Sequence, residues 1–404
     1  MNTKVSAGNL GKKVRSDCHI EMQIHKSGGR QIEIKSKVDV MFGRANRELL
    51  NNILDYFEIE HVSVHMQDAG ALPFVIAARA EACIRSLLET NKEYLLAQQA
   101  FNTSDTLKEQ HRFSRLYLPG NTPSMMLNAG IHNPNGLILD LEDAVAPDKK
   151  HEARFMVRNA LRTLNFYGAE RMVRINQGER GLEDLEFVIP HHVNLILVPK
   201  VEEAAQLINV QQKIDEIKAE NNINHPIWLM PIIESAKGVM NAYAIAQATN
   251  TVSSMAIGLE DYTADLGVKR TQEGTESFFA RNMVVTASVA AGIQAIDSVY
   301  SDVSDMEGLA ANVRTSKSLG FIGMGCIHPR QVRVIHENYA PDEVEIDKAR
   351  KIYRAFMEAK EKGLGVVSLG TKMIDAPVVK RAEKVIKLAV DMGKLAEDWI
   401  EIGK

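Results

Sequence analysis

The stretch "GLILDLEDAVAP" (136–147) starts as an apolar run and ends in acids. Its first half has the composition of a strand buried on both faces. Asp140, Glu142 and Asp143 crowd onto its far end. An unpaired buried carboxylate is costly, so each needs a partner, a metal or water. Short apolar runs recur in "RLYLP" (115–119), "RMVRIN" (171–176), "LILVPK" (195–200) and "IWLMPIIE" (227–234), all but the first closing on a polar group. They continue in "MAIGLED" (255–261), "GIQAID" (292–297) and "GFIGMGCIHP" (320–329), with helical patterns in most of the gaps. Eight strand–helix units over roughly 230 residues predict an α/β chain folded as a (β/α)8 TIM barrel. A doubly wound sheet is the competing architecture, but no glycine-rich phosphate loop follows the first strand.

Residues 1–90 read differently. "CHIEMQIH" (18–25) and "RQIEIKSKV" (30–38) alternate like strands, with Gly28-Gly29 as a hairpin-like turn between them. A helical pattern (45–57), a third alternating strand (60–66) and an apolar helix (72–89) follow, which predicts a small α+β domain. Residues 91–111 read as a frayed helix plus linker, 112–340 as the barrel domain and 341–404 as a C-terminal helical segment.

Bulk properties narrow the function. The 404 residues carry a net charge of −4, which gives no electrostatic reason to expect nucleic acid. No apolar stretch approaches a membrane span. The basic N-terminus lacks the apolar core of a signal peptide. Three scattered cysteines suit free thiols in a reducing compartment, so the expectation is a cytoplasmic protein.

In a barrel the C-terminal strand ends converge on one mouth. Here they would bring Asp140 and Glu142, Arg174, Lys200, Glu234, Glu260 and Asp261, Asp297, and His328 together. Any one of these could be merely the first polar residue after a buried strand. Taken together and dominated by acids, they suit a cation. Oxygen ligands without His/Cys clusters favour Mg²⁺ over Zn²⁺, and Glu234 with Asp261 is the best ligand pair. Arg174 could face an anionic part of the substrate. Lys200 could form a Schiff base, but pairing with an acid fits a metal site better. Asp140 reads as structural, and Glu142 and Asp143 as groups that orient the metal's waters or hold Arg174 and Lys200.

At these residues the chain resembles the citrate lyase beta subunit family, the citryl-thioester lyases. The matching stretches are "LYLPGNTPSMM", "LILDLEDAVAPDKKHEAR", "MVRIN", "LVPKVE", "PIIESAKGV" and "IGLEDYTADLG". "EGTESFFARNMVV", "AGIQAIDSVYSD" and "GLGVVSLGTKMIDAPVVKRA" are more specific to the citrate lyase branch. The N-terminal "SAGNLGKKVRSDCHIEMQI", "VDVMFGRANRELLNNIL" and "QDAGALPFVIAARAEA" resemble the citrate lyase acyl carrier (gamma) subunit. Two subunits of one complex thus look fused.

The resemblance implies Mg²⁺-dependent retro-Claisen cleavage of a carrier-bound citryl thioester into oxaloacetate and an acetyl thioester. It implies a phosphoribosyl-dephospho-CoA group on Ser16, Arg174 stabilising the thioester enolate, and Asp375 of a neighbouring subunit protonating it. Asp375 also reads as a helix N-cap, since "DAPVVKRAEKV" opens a helix. Implied partners are a citrate lyase alpha-like subunit, a prosthetic-group transferase and further copies of the chain in a trimer or hexamer. The linker would hold the carrier near the barrel at roughly millimolar effective concentration. Alternative readings are a citramalyl-thioester lyase releasing pyruvate, a lyase acting on free CoA thioesters, and a non-catalytic carrier or scaffold subunit. Two positions depart from the family pattern. Phe113 stands where the first strand usually has Arg, with Arg112 or Arg115 as the substitute. Met324 stands where the last strand's loop often has Lys.

Overall fold

The computed structural model describes residues 3–400, apart from 362, 364–365 and 370–371. The described residues up to 332 form one compact unit and those from 333 onward another. Among the described residues no helix is long and apolar enough to cross a membrane.

All eight anticipated strands form, as β5 (Ser114–Pro119), β6 (Gly136–Asp140), β7 (Glu170–Arg174), β8 (Leu195–Val198), β9 (Trp228–Ile233), β10 (Ser254–Ile257), β11 (Gln294–Asp297) and β12 (Gly323–Cys326). They close into one barrel, in which every neighbouring pair with a recorded register is parallel. Ile138, Met172, Leu195, Leu197, Met230, Ile232 and Ile296 fill its interior, so the barrel is a packed core and not a pore. Register sets Asp140 beside Arg174, one at the end of β6 and the other at the end of β7.

Ahead of the barrel lie β1 (Val5–Ala7), β2 (Cys18–Ile24), β3 (Arg30–Ser36), α1 (Asp39–Tyr56), β4 (Val62–Asp68) and α2 (Pro73–Leu87). The β2–β3 hairpin anticipated at Gly28-Gly29 does not form. β4 inserts between the two strands, antiparallel to β2 and parallel to β3. Burial explains the order. Val62, Val64 and Met66 of β4 are fully buried, whereas β3 alternates between half-buried and exposed, as suits an edge strand.

Helix α2 is buried along Phe74–Ile84, including Arg79 and Glu81. It is apolar nearly all round because one side covers the small sheet and the other packs on barrel helix Lys150–Thr163. Two buried ion-pair groups cross that contact. Arg158 forks onto Glu81, and Arg79 meets Asp17 (2.9 Å) and Glu152 (3.3 Å). Glu152 also accepts the Gly8 amide at 2.7 Å.

Residues 91–111 form no helix apart from a 3-10 turn at Ala100–Asn102. Nor do they hang free as a tether. Asn102 donates to the Leu161 and Leu164 carbonyls, Arg171 to Ser104 O, Trp228 to Thr106 O, and Thr106 to Glu170. The segment is a strap laid along the barrel, and the Arg112–Glu170 pair at its end is fully buried.

The second unit holds helix Glu343–Glu361, the two-stranded ribbon Val367–Leu369 and Lys372–Ile374, and helix Ala376–Asp391. Ile352, Ile374, Val379, Ile386 and Trp399 form its core.

Candidate active site

The C-terminal strand ends enclose a cavity of about 380 Å³ whose lining includes Tyr117, Asp140, Asp143, Arg174, Glu234 and Asp261. The acids of the opening stretch have their partner here. Asp140, buried at the end of β6, takes the Arg174 guanidinium in a fork, Nε to Oδ1 at 2.7 Å and Nη2 to Oδ2 at 2.6 Å. The far side of the same guanidinium meets Glu142 at 3.0 Å and Asp143 at 3.5 Å. Tyr117 lies against it, with the ring centroid 5.3 Å from the guanidinium carbon. Burial opposes the charge on Arg174, but the Asp140 hydrogen bonds and the surrounding acids outweigh it and raise its pKa. A planar fork gripped from both sides has one orientation available.

Glu234 follows β9 directly and is buried. Burial, with the like charges of Glu142 and Asp261, pushes its pKa up to about 7. Its Oε2 accepts the Lys200 amide at 2.9 Å. That amide is aimed by a left-handed turn at Lys200 (φ 48°), a conformation a side chain adopts only at a cost. Gly258 makes the space, because a Cβ there would stand 2.5 Å from Glu234 Oε1. Lys200 Nζ pairs with Asp261 at 3.2 Å. Asp261 belongs to helix Leu259–Asp265, beyond the strand end where the pattern had put it.

These residues fit a divalent cation. Among the described residues no group of three or more His, Cys, Asp or Glu is arranged to hold a metal. Mg²⁺ needs only one or two protein carboxylates, with water and substrate as its other ligands, and Glu234 and Asp261 are the two that could supply them. A carboxyl held at about 7 by burial and like charge is one that a cation would ionise.

Several other strand-end groups are used locally. Asp297 is ion-paired to Arg281, Glu260 to Arg270 at 2.7 Å, and His328 Nδ1 accepts the Arg330 amide. Of the two proposed substitutes for Phe113, Arg112 is ruled out, since it precedes β5 and is buried against Glu170 at the opposite end of the barrel. Arg115 points inward and lines the cavity. Met324 is fully buried in β12. Tyr117 was missed, although it sits at an inward position of "RLYLP" two residues from Arg115. Asp375 caps helix Ala376–Asp391, its side chain accepting the Val378 amide at 3.2 Å. Ser16 lies in the small domain, half-buried at φ 53°, with its amide on Ala69 O.

Residues 114–329 match the family model described as HpcH/HpaI aldolase/citrate lyase. The chain belongs to that family. Residues 2–87 match a second family model, described as malonate decarboxylase delta subunit. Citrate lyase subunit beta of Leuconostoc mesenteroides subsp. cremoris is 39% identical over 290 residues, 70% of this chain and 94% of that one. Human mitochondrial citramalyl-CoA lyase is 30% identical over 329 residues, 78% and 97% of the two chains. Among solved structures, Mycobacterium tuberculosis CitE in complex with magnesium, acetoacetate and coenzyme A superposes with a TM-score of 0.58 at 28% identity, covering 70% of this chain and 99% of that one. A Burkholderia xenovorans LB400 citrate lyase shares the fold at a TM-score of 0.65 and 18% identity, over 72% and 96% of the chains. The chain is accordingly a carbon–carbon lyase of this family with a carrier-like domain at its N-terminus.

Proposed function

We propose that the chain cleaves a citryl thioester, carried on Ser16 through a phosphoribosyl-dephospho-CoA arm, into oxaloacetate and an acetyl thioester. The observation that carries this reading is the Arg174 guanidinium held rigidly beside the Glu234–Asp261 pair. A retro-Claisen cleavage develops charge at two places, on the alcohol oxygen that becomes a carbonyl and on the departing thioester enolate. Glu234 and Asp261 are the residues that would hold Mg²⁺, which when bound makes the tertiary alcohol more acidic and offsets charge on its oxygen.

The chain's own groups do the rest. Arg174, kept in place by Asp140, Glu142 and Asp143, presents fixed N–H donors to the enolate oxygen. Lys200 holds Asp261 and, through its amide, orients Glu234. As the alcohol proton leaves to water and its oxygen becomes the carbonyl, the carbon–carbon bond breaks with its electron pair on the enolate, whose carbon then takes a proton. Asp375 of a neighbouring copy is the proposed donor, which makes the working enzyme a homo-oligomer, a trimer or hexamer. Its side chain is half-exposed and one oxygen caps the helix. Arg115 supports citryl over citramalyl, since a cation in the cavity suits the carboxylate that citrate carries where citramalate has a methyl. The same reading brings in an alpha-like subunit that forms the citryl thioester, a transferase that loads Ser16, and a cytoplasmic setting.

The test is product identity. Purified chain given citryl-CoA and Mg²⁺ should release oxaloacetate, and EDTA should stop it. Pyruvate from citramalyl-CoA with no oxaloacetate from citryl-CoA would replace the substrate assignment.

A further inference from the structure

A second cavity, of about 560 Å³, runs between the small domain and the barrel. Arg15 and Asp17, the two neighbours of Ser16, both line it. Its small-domain wall is the loop 9–17, with Lys12, Lys13 and Arg15 all exposed. Its barrel wall is Thr122–Met125, just beyond the C-terminal end of β5 and therefore on the rim of the catalytic mouth. Asp17, the acid in the lining, is neutralised by Arg79, so the wall presents net positive charge on a chain that is acidic overall. Leu10 and Met125 add exposed apolar surface, 56% and 55% accessible.

The two walls are joined rigidly. Asn9 and Arg79 both donate to the carbonyl of Asn121, at 3.0 and 2.9 Å, and both bind the Asp17 carboxylate. One residue before Asn121, the Gly120 amide donates to Asp140 O at 2.7 Å, and Asp140 holds Arg174. One residue step and two strand steps separate Asn121 from Arg174, on the order of 14 Å of backbone path.

We propose that this groove seats the anionic, pantetheine-type arm attached to Ser16 and directs its thioester end into the barrel of the same chain. The inference rests on Ser16 being the attachment point. Lys12, Lys13 and Arg15 meet the phosphates of the arm, and Leu10 with Met125 covers its apolar stem. A strap and two buried ion-pair groups hold the small domain, so the arm moves while the domain stays. No swing of the carrier is needed to reach Arg174.

The experiment compares the full-length chain before and after loading by its transferase. Intact mass reports attachment, with Ser16→Ala as the unmodified control. Acetylation then reads the reactivity of Lys12 and Lys13. On loading it should fall roughly tenfold, the factor that about 1.4 kcal/mol of binding supplies. Co-expressing a Ser16→Ala chain with a Glu234→Gln chain reads delivery, and mixed assemblies should stay inactive on the carrier-bound substrate. Full loading with unchanged lysine reactivity, or active mixed assemblies, would overturn the inference and leave Ser16 as the attachment point. No mass increase would instead remove the attachment reading, and this inference with it.

Discussion

Replacing Asp140 by Asn tests whether Arg174 works because of how it is held. Asp140 accepts from Arg174 Nε and Nη2 (2.7 and 2.6 Å) and from the Glu142 and Ala144 amides (2.9 and 3.2 Å). Asparagine keeps one acceptor oxygen, and its amide nitrogen must face another donor in either orientation. Breaking a buried pair costs about 3–5 kcal/mol in general. Here Glu142 and Asp143 remain on the other side of the guanidinium, so the low end applies, about 3 kcal/mol of stability. The guanidinium should then pivot toward those two acids. A displacement of ~1 Å at a reacting centre costs on the order of 100-fold in rate. Steady-state kinetics on citryl-CoA at saturating Mg²⁺ should show kcat reduced by about that factor with KM little changed, since the contact acts on charge that develops during cleavage. A variant with kcat within about threefold of the parent, while Arg174→Gln is inactive, would refute the claim that the Asp140 fork sets the position of Arg174.

Three further outcomes follow from single sites. Gly258→Ala places a Cβ 2.5 Å from Glu234 Oε1, and calorimetric Mg²⁺ titration should show affinity weakened roughly 10–100-fold; unchanged affinity would remove Glu234 from the metal's ligands. Arg115→Met should lower kcat/KM for citryl-CoA roughly 10–100-fold, the worth of a charged hydrogen bond, and leave citramalyl-CoA cleavage nearly unaffected; equal losses on both substrates would make Arg115 structural. His191 is buried at the foot of the barrel, where burial first and then Arg158 and Arg162 push its pKa down to about 2. An unfolded chain protonates this ring near 6.5 and the folded chain does not, so the contribution is intact above pH 6.5 and declines below it by about 1.4 kcal/mol per pH unit. Thermal midpoints between pH 4.5 and 7.5 should fall on acidification, and less so in His191→Gln; parallel curves would contradict the assignment.

The barrel was legible because the strands announce themselves locally, as short apolar runs that, in all but the first, are ended by a polar group. The mouth was legible for the same reason, since strand ends must converge once the barrel closes. What sequence pattern could not convey was pairing at a distance. "RQIEIKSKV" and "CHIEMQIH" alternate equally well, and only the burial demanded by Val62 and Val64 separates them with β4. The strap at 91–111 has no periodicity to read, because its anchors are backbone carbonyls met by Asn102, Arg171 and Trp228. Asp140 read as structural, and it is the principal partner of Arg174. That difference arises from a register, Asp140 beside Arg174, that no single strand displays. Lys200, just after β8, pairs with Asp261 in the helix after β10, with β9 standing between the two strands, so the pairing with an acid is met but by a group two strands away. Tyr117 gave only an alternation signal, which an aromatic core residue would give as well.

The central claim is that carrier and lyase on one chain serve one reaction. The direct measurement is a single turnover of fully loaded chain whose Ser16 arm bears a citryl group, with Mg²⁺ and then with EDTA. The account predicts one oxaloacetate released per loaded chain, with an acetyl group left on the arm and no release in EDTA. Cleavage of free citryl-CoA beside a carrier-bound citryl group that stays intact would contradict it.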